Sequence, residues 1–198
     1  MTKTFEEIKY IMKGVKLITD STIEDASKIF KKVKNKGIGK TCNSEIFNAV
    51  IIYCAVRIND IPLTLSEILE INSLFPDSER FFFKLYKKVK KELNLNIPLI
   101  KPESFVPRIC SNLNLTDPYI ETYSYLIFEK SKKRGLNDGK NPIAFILACV
   151  YISCLLRNCR KSQREMVSAC GYIISESSIR KNYKKILEEL GLYNEFKN

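Results

Sequence analysis

The chain repeats itself, and that repeat constrains its fold more than any other feature. Residues 37–53 and 135–151 are equally long and similarly patterned. Each is followed by a glutamate (Glu67, Glu165) and then by one motif, YKKxxxEL, at 86–93 and 183–190. The offset is 98 residues for the first block and 97 for the last, so the copies differ by one residue in a loop. Two copies of one supersecondary unit follow. With 198 residues and 45% hydrophobic content, the chain can fill two cores of roughly 100 residues each. We place the first unit at 1–97 and the second at 98–198.

Apolar residues recur at steps of three and four throughout, and no stretch alternates with a period of two, so the fold class is all-α. The first unit should hold helices at 5–18, 22–35, 44–58, 64–71 and 77–93. The second should hold them at 102–113, 117–134, 142–156, 162–170 and 175–190. Ser21, Ser44 and Thr64 stand at cap positions. Thr64 with Glu67, and Ser162 with Glu165, have capping-box spacing. Pro142 suits a first helical turn. The third helix of each unit, AVIIYCAV and FILACVYISCLL, is apolar on nearly every face, as a helix surrounded by its neighbours would be.

Lys and Arg outnumber Asp and Glu 33 to 22. The excess of +11 divides as 17 against 12 in residues 1–97 and 16 against 10 beyond. That balance points to a polyanionic partner, nucleic acid before an anionic membrane surface; a basic surface serving solubility alone competes with it. The longest apolar run, 142–156, is shorter than the ~20 residues that span a bilayer, so it reads as a buried helix and no membrane span is expected. The N-terminal MTKTFEEIKY has no apolar core of a secretory signal, which reads as a reducing, cytoplasmic location.

Seven Cys (Cys42, Cys54, Cys110, Cys149, Cys154, Cys159, Cys170) contain no CxxC pair, and the chain has no His. The usual zinc ligand sets cannot be assembled, so neither a metal nor a cofactor is expected. If Cys149, Cys154 and Cys159 share one helix, steps of five rotate them by about 140° each and they do not converge. They read as small core residues. GIGKT at 37–41 resembles the end of a phosphate-binding loop, but GxxxxGK[ST] requires Gly where Lys34 stands. NDGKNP occupies the same place in the second unit, so both read as a turn between the second and third helices. No acid–base pair can be drawn, so neither an enzyme nor a small-molecule substrate is expected.

The best nucleic-acid signal closes the second unit. A short helix from Ser162, a turn at Cys170 and Gly171 and a helix from Ser175 make a helix-turn-helix with basic elements on both arms. Ser177, Ser178, Arg180 and Lys181 occupy the stretch that can enter a major groove, with Lys184 one turn on. Lys161, Gln163 and Arg164 could grip phosphate, as could Lys140 beside the open amides of the helix starting at Pro142. An ordinary helical hairpin with a solvated basic face is the competing reading. A second basic face, with Lys84, Lys87, Lys88 and Lys91, lies on the last helix of the first unit. Its counterpart carries Glu188 and Glu189, so the copies have diverged in surface and should meet different partners.

These stretches resemble a known family, the core of archaeal transcription factor B and its relative transcription factor IIB, built from two cyclin-like repeats. The resemblance rests on IFNAVIIYCAVRINDIPLTLSEI (46–68), FVPRICSNLNL (105–115) and above all GLNDGKNPIAFILACVYISCLLRNCRKSQREM (135–166). The last is similar to GLxxGKxPxxxxAAxxYxxxxL with (K/R)(S/T)QRE; SESSIRKNYKKILEEL continues in register. It implies a transcription initiation factor that docks on TATA-binding protein and promoter DNA, the helix-turn-helix of its second repeat reading an element beside the TATA box. RNA polymerase is left as an open third partner, and nucleoid association follows. Arg180 corresponds to the family's base-contacting arginine. Ser177 falls where the family often has Val, which removes a methyl contact, and Leu63 replaces a common Arg. The family normally begins with a zinc ribbon, whereas residues 1–18 can hold only a first helix. A divergent or regulatory form is therefore expected. The alternative is a cyclin-like interaction module that holds a kinase or other partner without DNA.

Overall fold

The computed structural model describes residues 4–171 and 174–192, and among them helices and no strand. The chain forms two compact units, 1–100 and 101–198. The first contains α1 (Phe5–Lys13), α2 (Asp20–Asn35), α3 (Ser44–Ile58), α4 (Leu65–Ile71) and α5 (Glu79–Glu92). The second contains α6 (Val106–Asn112), α7 (Tyr119–Lys133), α8 (Pro142–Leu156), α9 (Gln163–Ala169) and α10 (Glu176–Leu190). Short 3₁₀ turns, Pro76–Ser78 and Pro102–Phe105, lead into α5 and α6.

The central helices explain the repeat. In α3 every residue from Phe47 to Arg57 is buried except Tyr53, and in α8 every residue from Ile143 to Cys154 is buried except Tyr151. The exceptions are equivalent residues 98 apart, and each turns its ring to the last helix of its unit. Tyr53 meets Tyr86 with centroids 5.3 Å apart, and Tyr151 meets Tyr183 at 4.9 Å. These are the tyrosines of YKKxxxEL, so the motif is conserved between copies because it packs on the central helix. A second pair repeats too: Phe30 lies edge-on to Phe47, and Phe128 to Phe145, at 5.8 and 6.2 Å. Around α8, the packing is mainly against α7 and α10. Each fully buried Val, Leu, Ile or Phe side chain there contributes on the order of 1.5–3 kcal/mol.

Local chemistry shifts several helix ends from their expected places. The first helix stops at Lys13, where Gly14 caps it and residues 15–18 make short turns instead. Thr19, not Ser21, caps α2: its backbone is extended and its side chain accepts from the Thr22 N–H, while Ser21 is already helical. Asn43, not Ser44, caps α3, its Oδ1 accepting from Glu45 and Ile46. Pro107 sits in the first turn of α6, so the segment opens as 3₁₀ rather than α. Cys159 lies beyond the end of α8, so the three cysteines do not share one helix. Cys54, Cys110 and Cys154 are buried, and burial pushes their thiols up to about 12. Both capping boxes and the first-turn Pro142 are present as read.

Gly39 shows why GIGKT is a turn. Its φ is +76°, and a Cβ there would lie 2.7 Å from Phe47 Cδ2. The glycine lets the loop close over the core.

Candidate nucleic-acid interface

The helix-turn-helix is built from its caps inward. Ser162 Oγ accepts from the Glu165 N–H at 3.1 Å, and the Glu165 carboxylate accepts from the Ser162 N–H at 2.7 Å and hydroxyl at 2.8 Å. These bonds, the backbone one foremost, hold the Glu165 carboxyl below its ordinary value. α9 buries Met166, Val167 and Ala169. The chain then turns through Gly171, whose φ of +67° suits glycine. Ser175 caps α10, and its Oγ lies 3.0 Å from both Ser177 Oγ and Ser178 Oγ while accepting from the Ser178 N–H at 3.3 Å.

α10 buries Ile179, Asn182, Ile186 and Leu187. That register leaves Ser177, Arg180, Lys181 and Lys184 exposed, three or four residues apart on neighbouring turns of one face. Arg180 does not hang free: its Nε–H donates to Gln163 Oε1 across the motif at 3.1 Å. Gln163 thus meets Arg180 through its amide oxygen, whereas a phosphate contact would use its amide N–H donors. Lys161 is 3.6 Å from Glu165, its side chain 22% exposed, and Arg164 faces solvent. Lys140 lies exposed on the separate loop before α8. The amides beside it are not open, which corrects the expectation of an anion site there. Asn141 Oδ1 accepts from the Ile143 and Ala144 N–H groups at 3.0 and 3.1 Å, as Asn43 does in the first unit.

On α5, Lys84, Lys87, Lys88 and Lys91 are all exposed. Lys84 and Lys88 line a groove of about 500 Å³ together with Phe81, Leu85, Ile46 and Cys42. Phe81, 61% exposed, was passed over in the sequence reading. The signal was the run Phe81–Phe83, of which the helix can bury only Phe82.

Fold and surface together define a class: an all-α protein of two tandem cyclin-like units, the second ending in a basic helix-turn-helix. A family model described as the transcription factor TFIIB repeat matches residues 95–189. The transcription initiation factor IIB of Aeropyrum pernix is 34% identical over 175 residues, covering 87% of this chain and 53% of that protein. That of Ignicoccus hospitalis is 32% identical over 170 residues, covering 84% and 51%. That of Methanococcus maripaludis strain S2 is 30% identical over 169 residues, covering 85% and 48%. Through its helical repeats the chain is a relative of these IIB factors. It spans about half the length of the curated relatives it matches.

Proposed function

We propose that this chain acts in transcription initiation as a IIB-type factor, bound to TATA-binding protein on promoter DNA. The observation that carries this reading is the Gln163–Arg180 pair. It fixes a guanidinium on the face of α10 that also exposes Ser177, Lys181 and Lys184. An arginine held in place reads a guanine edge at lower entropic cost than a mobile one. In this reading Arg180 contacts a base, Ser177 and Ser178 lie at the groove floor, and Lys181, Lys184, Arg164, Lys161 and Lys140 hold phosphates. Lys84 and Lys88, with the apolar groove between them, face TATA-binding protein, and Lys87 and Lys91 extend that face. RNA polymerase stays an open third partner, tested by adding it to the same assay.

The test is a mobility shift on TATA-containing DNA with and without the cognate TATA-binding protein, at two salt concentrations. The chain should supershift the binary complex, and Arg180→Ala should weaken binding selectively on some flanking sequences. A chain that neither supershifts nor binds DNA alone excludes the reading.

A second reading, a cyclin-like module that binds a protein partner without DNA, is favoured by the exposed Phe81 and the groove beside it. It predicts partner capture that Phe81→Ala abolishes and Arg180→Ala leaves intact.

A further inference from the structure

Another groove of the first unit has the opposite electrostatic character in a chain of net charge +11. It holds about 720 Å³ and lies among α1, the start of α3 and the end of α4, with Glu6, Glu7 and Glu45 along it. None of these carboxylates forms an ion pair among the described residues. Acidic residues in the first turns of α1 and α3 suit the helix dipoles, which alone could account for them.

Two amides in the same groove have no such account. Asn48 and Asn72 are 4% and 3% exposed. Asn48 Nδ2 donates to Glu7 Oε2 at 3.5 Å and Asn72 Nδ2 to the Ile68 carbonyl at 2.7 Å. Each Oδ1 is left buried without a partner. Buried acceptors of this kind are few in native proteins and call for a reason.

The groove therefore offers three carboxylates, and the two asparagines that line it each hold a buried oxygen that nothing among the described residues pairs. A complementary guest is a cation with several donors. A point metal ion does not meet this description, since among the described residues no three acidic, Cys or His side chains are grouped to hold one. A guanidinium does, with five N–H donors spread over a plane. Tyr10, 83% exposed, offers it a ring face, and Ile11 and Ile71 offer its methylene stem an apolar wall. We infer that this groove binds an arginine side chain from a basic segment of a protein partner. The basic surface elsewhere repels such a segment, so the acidic groove also sets where it lands. This inference is independent of the promoter reading.

The experiment titrates the nitrogen-15-labelled full chain with a capped tetrapeptide carrying two arginines, read by the side-chain amide resonances of Asn48 and Asn72. Those signals should shift saturably. Replacing arginine by the isosteric, uncharged citrulline should weaken binding by about tenfold or more, as should Glu7→Gln and Glu45→Gln. The variants should leave the mobility shift on promoter DNA unchanged. Circular dichroism melts check that each variant is folded, and the citrulline peptide decides even where one is not. Absence of saturable shifts, equal binding of the citrulline peptide, or folded glutamate variants that bind as tightly as wild type would each overturn the inference. So would self-association in sedimentation that Glu7→Gln abolishes, which would make the occupant a second copy of the chain.

Discussion

The Arg180 guanidinium and the Gln163 side-chain oxygen meet at 3.1 Å across the helix-turn-helix, joining the first turn of α9 to the second turn of α10. The bond costs Arg180 rotamer freedom before any partner arrives. Arg180→Ala should therefore lose about 1–3 kcal/mol of sequence-selective binding. Gln163→Ala should lose less, about 0.5–1.5 kcal/mol, because it removes orientation and not the reader. The double variant should fall short of the sum, since Gln163 acts through Arg180. Mobility-shift titrations on preferred and scrambled flanking sequences give all three values.

Glu165 should make the second unit acid-sensitive. Its folded carboxyl lies below the ordinary value of 4.5, because the Ser162 N–H and hydroxyl bind the ionised form. As pH falls, the unfolded chain takes up the proton first. The stabilisation is therefore complete above about pH 4.5 and is lost as pH falls through the lower, folded value. Urea midpoints between pH 7 and pH 3 should fall more for wild type than for Glu165→Gln, which keeps a cap acceptor but does not titrate there.

The repeat was legible in the sequence because the residues that pack on α3 and α8 are large, few and equally spaced. Tyr53 and Tyr151, Phe47 and Phe145, and the tyrosines of YKKxxxEL all recur at offsets of 97 or 98. The candidate interface was legible as composition: the basic stretch from Ser177 to Lys185 is visible without coordinates. What escaped depends on backbone angles and on contacts distant in sequence. Ser44 and Asn43 are adjacent residues of similar cap propensity, and only the non-helical backbone of Asn43, with ψ 142°, selects it. The bond between Arg180 and Gln163 joins residues 17 apart, and neither position signals it alone. The acceptor groove escaped for the same reason, since Asn48 and Asn72 come together with Glu7 only when α1 packs against α3.

The paired asparagine caps should be worth similar amounts. Asn43 and Asn141 sit at equivalent positions, and each accepts two amides at the start of a buried central helix. Asn43→Ala and Asn141→Ala should each cost about 1 kcal/mol. Asn43→Asp and Asn141→Asp should restore most of it. Urea unfolding of the four variants measures this. Equal losses would show that the copies share their helix-start chemistry as well as their core.

Arg57 gives the first unit a device that the second lacks. Its guanidinium is buried at 5% exposure, stacks 4.8 Å from the Tyr53 ring, and donates to the carbonyls of Ile61 (3.4 Å) and Leu63, tying down the loop before α4. Ninety-eight residues on, Leu155 stands in its place. Arg57→Met keeps the stem but leaves the loop carbonyls without a donor, so it should cost about 2–3 kcal/mol. Arg57→Lys should recover less than half of that, because a single ammonium cannot reach both carbonyls and stack on the ring at once. Denaturant midpoints for the two variants decide it. Full rescue by Lys would mean that the charge alone, and not the planar fork, holds the loop.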